Sequence, residues 1–120
     1  MVRKLNEQRV IERSPGVNIR IPVEPAEMYE AGRLYGHITV APGASLDFHI
    51  HREEMEAYYV LKGTPELMDN DETVTLNPGD ALITPHDEGH SLYNNTSETV
   101  ELMALIISQK QGNPGISQMQ

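Results

Sequence analysis

Gly43-Ala44-Ser45-Leu46-Asp47-Phe48-His49-Ile50-His51-Arg52-Glu53-Glu54-Met55-Glu56-Ala57-Tyr58-Tyr59-Val60-Leu61-Lys62-Gly63 reads as two short strands joined by a polar turn. Side chains two apart on a strand share a face. His49 and His51 therefore point the same way, together with Asp47, while Phe48 and Ile50 point the other way. On the second strand Glu56, Tyr58 and Val60 share a face.

Outward from this segment, Gly and Pro punctuate the chain at short intervals, as at Ser14-Pro15-Gly16, Pro42-Gly43, Gly63-Thr64-Pro65 and Asn77-Pro78-Gly79. Between them lie short runs of β-branched, aromatic and aliphatic residues, the pattern of an all-β sandwich or barrel. Strands are expected over 17–22, 34–40, 46–51, 56–62, 65–69, 72–76, 81–84, 90–94 and 99–107. Asp69-Asn70-Asp71 reads as a hairpin turn. Only Pro25 to Ala31 reads as helical, with proline in the first turn. Parity puts Leu34, Gly36, Ile38 and Val40 inside and Tyr35, His37 and Thr39 outside. His90, Leu92 and Asn94 share one face. Strand 99–107 is apolar on both faces, so something must pack against its outer side.

A second run, Gly79-Asp80-Ala81-Leu82-Ile83-Thr84-Pro85-His86-Asp87-Glu88-Gly89-His90-Ser91-Leu92-Tyr93-Asn94, completes a resemblance to the cupin superfamily, of the small conserved-barrel type. The first motif of that family is a glycine, five residues, His-x-His, three or four residues, a glutamate, six residues and a glycine. The second is a glycine, five residues, Pro-x-Gly-x-x-His, three residues and an asparagine. One position departs: Asp87 stands where the family has glycine, and aspartate tolerates a left-handed turn better than most residues. The resemblance implies a double-stranded β-helix, or jelly-roll-like barrel, formed by residues 1–108. It leaves 109–120 as a polar, flexible tail.

The resemblance also implies that His49, His51, Glu56 and His90 hold one divalent transition metal. A lone histidine on a strand is usually an ordinary surface residue, but three imidazoles and a carboxylate make a mixed nitrogen and oxygen set. That set suits manganese, iron, cobalt, nickel or zinc. Of the acidic run Glu53, Glu54 and Glu56, only Glu56 falls at the motif spacing. Tyr58 is the candidate catalytic residue, as a proton donor beside the metal, although a barrel-lining tyrosine is the plainer use. The expected pocket lining is Ile38, Tyr58, Leu92, Leu102 and Ala104. His86, in a turn, is read as solvated, and His37 faces outward by parity.

Composition narrows the partners. A net charge of -9 speaks against nucleic acid and anionic membranes, which need basic patches. The absence of cysteine excludes disulfides and thiolate sites and suits the cytoplasm. Met1 to Arg9 has no apolar run behind its basic residues, so no signal peptide is expected. No arginine is placed inside, with Arg33 and Arg52 assigned to surface ion pairs, which favours an uncharged or weakly charged ligand over an oxalate-like dianion. Two readings stand. One is a metal-dependent enzyme of dioxygenase or isomerase type acting on a small molecule. The alternative is a non-catalytic sensor or binding module that uses the metal to hold a ligand. The intact ligand set weighs against a metal-independent sugar-binding protein. Phe48 and Ile50, with Met103, Leu105 and Ile107, form an outward apolar patch, so a homodimer is expected unless Val17, Ile19 and Ile21 cover it.

Overall fold

The computed structural model describes residues 1–50, 52–69 and 71–108, with the backbone alone at 48–50 and 69. Ten strands follow in chain order: β1 (Arg9–Ser14), β2 (Val17–Ile21), β3 (Gly32–Val40), β4 (Ser45–Ile50), β5 (Glu54–Lys62), β6 (Glu66–Asp69), β7 (Glu72–Thr75), β8 (Ala81–Thr84), β9 (Gly89–Tyr93) and β10 (Val100–Ser108). They form a six-stranded sheet in the order β1-β2-β3-β10-β5-β8 and a four-stranded sheet in the order β4-β9-β6-β7. Every pairing is antiparallel. Val17, Ile38, Val60 and Leu102 from the large sheet meet Leu46, Leu67 and Leu92 from the small one in a single core cluster. The architecture is the all-β double-stranded β-helix. No helix among the described residues is long and apolar enough to cross a membrane.

The alternation that revealed the strands is the alternation that builds the core. Along β10, Val100, Leu102, Ala104 and Ile106 are buried, and their ladder partners on β3 and β5 include Val40, Ile38 and Val60. Met103 and Leu105 on the opposite face are half-buried and Ile107 is exposed. Val17, Ile19 and Ile21 do not cover that face. They sit in β2, edge-on to β3, and point into the core. The helix expected from Pro25 to Ala31 is one 3-10 turn, Pro25–Met28. It ends because Tyr29 and Glu30 take left-handed backbone conformations. Gly63 also has a positive φ, and a Cβ there would meet Val100 Cγ2 at 2.8 Å, which explains the glycine closing β5.

β1 escapes the sequence reading. Five of its six residues are exposed, so it carries no buried period of its own. It joins β2 by the two-residue loop Pro15-Gly16, with Gly16 at φ 79, the geometry of a type II turn. Two ion pairs hold this hairpin and the preceding residues to the 3-10 turn. The Arg3 guanidinium donates to Glu27 Oε1 and Oε2 at 2.7 and 3.0 Å, and Arg9 donates to Glu24 Oε1 and Oε2 at 2.8 and 3.2 Å.

Hydrogen bonds from Arg3 and from the Glu24 backbone N–H hold the Glu27 carboxyl down at about 2, below its ordinary 4.5. A depressed carboxyl contributes stability above its unfolded value and loses it as pH falls through its folded value. Amide exchange over residues 3–14 should therefore rise as the pH is lowered from 5 to 2, after correction for intrinsic rates, while β10 stays protected. Glu27→Gln should show the raised exchange already at pH 5. Equal protection of the N-terminal segment in variant and parent at pH 5 would remove this clamp.

Candidate metal centre and cavity

Three strands bring the candidate site together. Glu56 on β5 lies opposite Ile106 of β10 and Thr84 of β8. Its neighbours in the acidic run turn elsewhere: Glu53 is exposed at a left-handed turn residue, and Glu54 pairs with Arg33 at 2.5 Å. Glu56 is thus the acid of the three that is buried. His90 on β9 is fully buried, and its Nε2 lies 2.8 Å from Glu56 Oε1, whose side chain is only 4% exposed. Nε2 also lies 3.2 Å from Tyr58 Oη, and the two rings meet edge to face with centroids 5.1 Å apart. On the other side of the imidazole, Nδ1 is 2.7 Å from Thr84 Oγ1. Burial, with the negative charge of Glu56 beside it, pushes the Tyr58 phenol well above its ordinary value, so it keeps its proton.

β4 contributes through a break in its alternation. Leu46 pairs with Leu92, but His49 pairs with His90, so one extra residue is accommodated between them. Leu46 is buried and Asp47 exposed. Asp47 therefore lies on the outer face, just before the ladder slips by one residue. The ladder places His49 directly opposite His90. His51 lies outside the described residues, as do the side chains of Phe48, His49 and Ile50 and the tail at 109–120. Among the described side chains no group of three metal-ligating residues occurs, and Glu56 with His90 forms the described part of the set.

The chemistry of that pair fits a metal. If Thr84 Oγ1 accepts the Nδ1 proton, Nε2 presents its lone pair toward a carboxylate oxygen. Two electron-rich atoms 2.8 Å apart in a buried setting need a proton or a cation between them. Two ligands each about 2.1 Å from one ion and at right angles to it stand about 3 Å apart, close to the separation found.

The motif's remaining residues are structural. Asn94 is buried, donating to Val40 O at 2.9 Å and Glu98 O at 2.8 Å and accepting from Thr96 Oγ1 at 2.7 Å. Asp87 has φ 65, so the left-handed turn survives without glycine. His37 faces Glu101, and His86 is an exposed neighbour of Asp87.

Beside Glu56 and Tyr58 opens a cavity of about 400 Å³. Ile38 and Tyr58 line it as expected, but Leu92, Leu102 and Ala104 do not. Those three lie in the packed half of the barrel, where facing side chains meet across the sheets. The open half begins at Ile106, opposite Glu56. Its walls are aliphatic, with Ile11, Ile19, Ile21, Leu34 and Leu46. Three arginines also line it: Arg9, Arg13 and Arg33. All three are exposed residues at the cavity's rim, and Arg33 makes the surface ion pair expected of it, so the cavity is cationic at its mouth. The cause is β1, whose alternate residues Arg9, Ile11 and Arg13 face the cavity. That period of two, next to a Pro-Gly turn, was the available signal. Thr84 was also missed, though parity with Leu82 on β8 places it inside.

A metal-compatible pair beside a cavity in a double-stranded β-helix defines a class of protein, and comparison with known proteins agrees. The chain belongs to the cupin domain family, whose model matches residues 36–107. It is 35% identical over 80 residues to the oxalate-binding protein of Thermotoga maritima, a match covering 67% of this chain and 66% of that protein. It is 29% identical over 96 residues to the alginate biosynthesis protein AlgA of Pseudomonas putida, covering 78% of this chain but only 20% of that one. The crystal structure of a predicted oxalate decarboxylase from Thermotoga maritima superposes with a TM-score of 0.80 at 30% identity, covering 90% of this chain and 99% of that chain.

Thr84→Val keeps the shape of β8 and deletes the hydroxyl that meets His90 Nδ1. Groups that orient a ligand in this way are worth about 10- to 100-fold in metal affinity. Thr84→Val should weaken metal binding by that order and also lower the unfolding transition, because it takes a partner from a buried imidazole nitrogen. Unchanged affinity would show that Thr84 does not set the imidazole.

Proposed function

We propose that this chain is a metal-dependent cupin enzyme that takes a small organic acid into the cavity beside Glu56, Tyr58 and His90. The ligand set is His49, His51, Glu56 and His90, holding one divalent ion of manganese, iron, cobalt, nickel or zinc. The observation that carries the reading is the buried His90–Glu56 contact of 2.8 Å at a cavity lined by three arginines. When bound, the metal supplies Lewis acidity to an oxygen of the ligand. The chain's own residues do the rest. Thr84 holds the His90 ring and the aliphatic walls exclude water. Tyr58 presents a hydroxyl 3.2 Å from His90 Nε2, where it can donate to a ligand oxygen that gains negative charge. The names of the Thermotoga relatives make oxalate the first ligand to test. The name of the oxalate-binding relative favours a second reading, a module that holds its ligand without chemistry. The cytoplasm is the proposed location.

One experiment separates these. The protein is loaded with each of the five metals, and metal content, oxalate binding and oxalate turnover are measured. One metal per chain is expected, lost in His90→Ala and weakened in Glu56→Gln. Occupancy should fall on acidification, because ligating imidazoles must be neutral. Tyr58→Phe should keep the metal and lose turnover by about two to four powers of ten. Oxalate binding without turnover in every metal form selects the module, and no uptake of any metal rejects both readings.

We further propose that the chain forms a homodimer through the outer face of the six-stranded sheet. Tyr35, Tyr59, Leu61 and Ile83 are exposed there, Ile83 at 60%, around an apolar hollow of about 260 Å³ that includes Met103 and Leu105. Light scattering at micromolar concentration should give twice the chain mass, and Ile83→Glu should give a monomer. A monomeric parent would count against the interface.

A further inference from the structure

We infer that the ligand is an amphipathic organic acid longer than oxalate, with a chelating head at the Glu56–His90 end and a carboxylate received by Arg13. This rests on the proposed metal-dependent function and names the ligand class of the same cavity.

The first observation is size. A cavity of about 400 Å³ has the volume of about a dozen liquid waters, or a ligand of about as many non-hydrogen atoms. Oxalate has about half that number and would leave much of the space wet. The second is the wall. Ile11, Leu34, Ile38 and Ile106 offer nothing to a bare dianion, whereas they would bury the hydrocarbon or aromatic body of a longer acid.

The third is the state of the arginines. Arg9 is engaged by Glu24 and Arg33 by Glu54. Arg13 has no hydrogen bond or ion pair with any described residue, although its charge reaches Tyr58 and opposes the effect of burial there. In a chain of net charge -9, a cation facing a cavity with no carboxylate partner among the described residues is available to one that arrives with the ligand. Glu56 and Tyr58 are buried while Arg13 is exposed on an edge strand. The cavity is therefore polar at its inner end, apolar along its wall and cationic at its mouth. A ligand matching that sequence of environments has a metal-chelating group, an apolar body and a terminal anion.

The test uses the metal-loaded protein and calorimetry with three probes: 3,4-dihydroxyphenylacetate, its methyl ester and oxalate. The first two share a chelating diol and an aromatic body and differ in the terminal charge. A charge-assisted hydrogen bond to Arg13 should favour the acid over the ester by about 10- to 100-fold. Arg13→Gln should abolish that preference, Arg13→Lys should restore part of it, and neither should alter metal content. Oxalate, held at the inner end, should bind the parent and Arg13→Gln alike. Acid and ester bound equally by the parent, or a preference that survives Arg13→Gln, would overturn the inference while full metal occupancy leaves the proposed function standing. So would oxalate affinity that drops in Arg13→Gln, since a short anion would then reach Arg13. Failure to take up metal would overturn the proposed function and this inference together.

Discussion

A carboxylate and an imidazole buried 2.8 Å apart between two sheets are the constraint on which the rest of the site depends. Burying a charge without a partner costs several kcal/mol, so such a pair persists only where the fold supplies compensation. Here the compensation is specific. Thr84 meets the far nitrogen of His90, and the Tyr58 hydroxyl approaches the near one. Each of these residues comes from a different strand or register position: β5 for Glu56 and Tyr58, β8 for Thr84 and β9 for His90. The antiparallel ladders fix their separations, which loops could not do as tightly.

The barrel is divided by the same alternation that closes it. Toward Val100 and Leu102 the inward side chains meet and fill the space. Toward Ile106 and Glu56 the inward side chains do not meet, and the space stays open. A single strand, β10, serves both halves with one run of aliphatic residues. What differs is the partner: Ile38 and Val60 oppose Leu102, whereas Glu56 and Leu34 oppose Ile106.

Much of this was legible in the sequence, for reasons that individual residues make plain. Strands bounded by Pro-Gly turns were found within a residue or two, since period two and turn chemistry agree there. Glu56 could be chosen over Glu53 and Glu54 because it alone keeps the motif spacing, and it is the buried one. Asp87 was readable as a tolerated left-handed residue. The failures also have causes. The bulge between Leu46 and His49 cannot be seen in one strand's sequence, because it exists only relative to the partner strand. β1 was missed because an edge strand over a cavity needs no buried residues. With its arginines went the charge of the cavity mouth. Leu92, Leu102 and Ala104 have the right face, but parity along a strand does not say which half of a barrel is filled.

The place of β10 in the large sheet has a consequence for how the chain acquires its structure. The last of the described strands lies between β3 and β5, two strands that do not pair with each other. Contacts of such long sequence separation form late and slowly. During synthesis, β3 and β5 therefore emerge with their apolar inner faces exposed and a gap where β10 will insert. The large sheet becomes continuous only after Ser108 has left the ribosome. Until then the two open edges are free to pair with other chains.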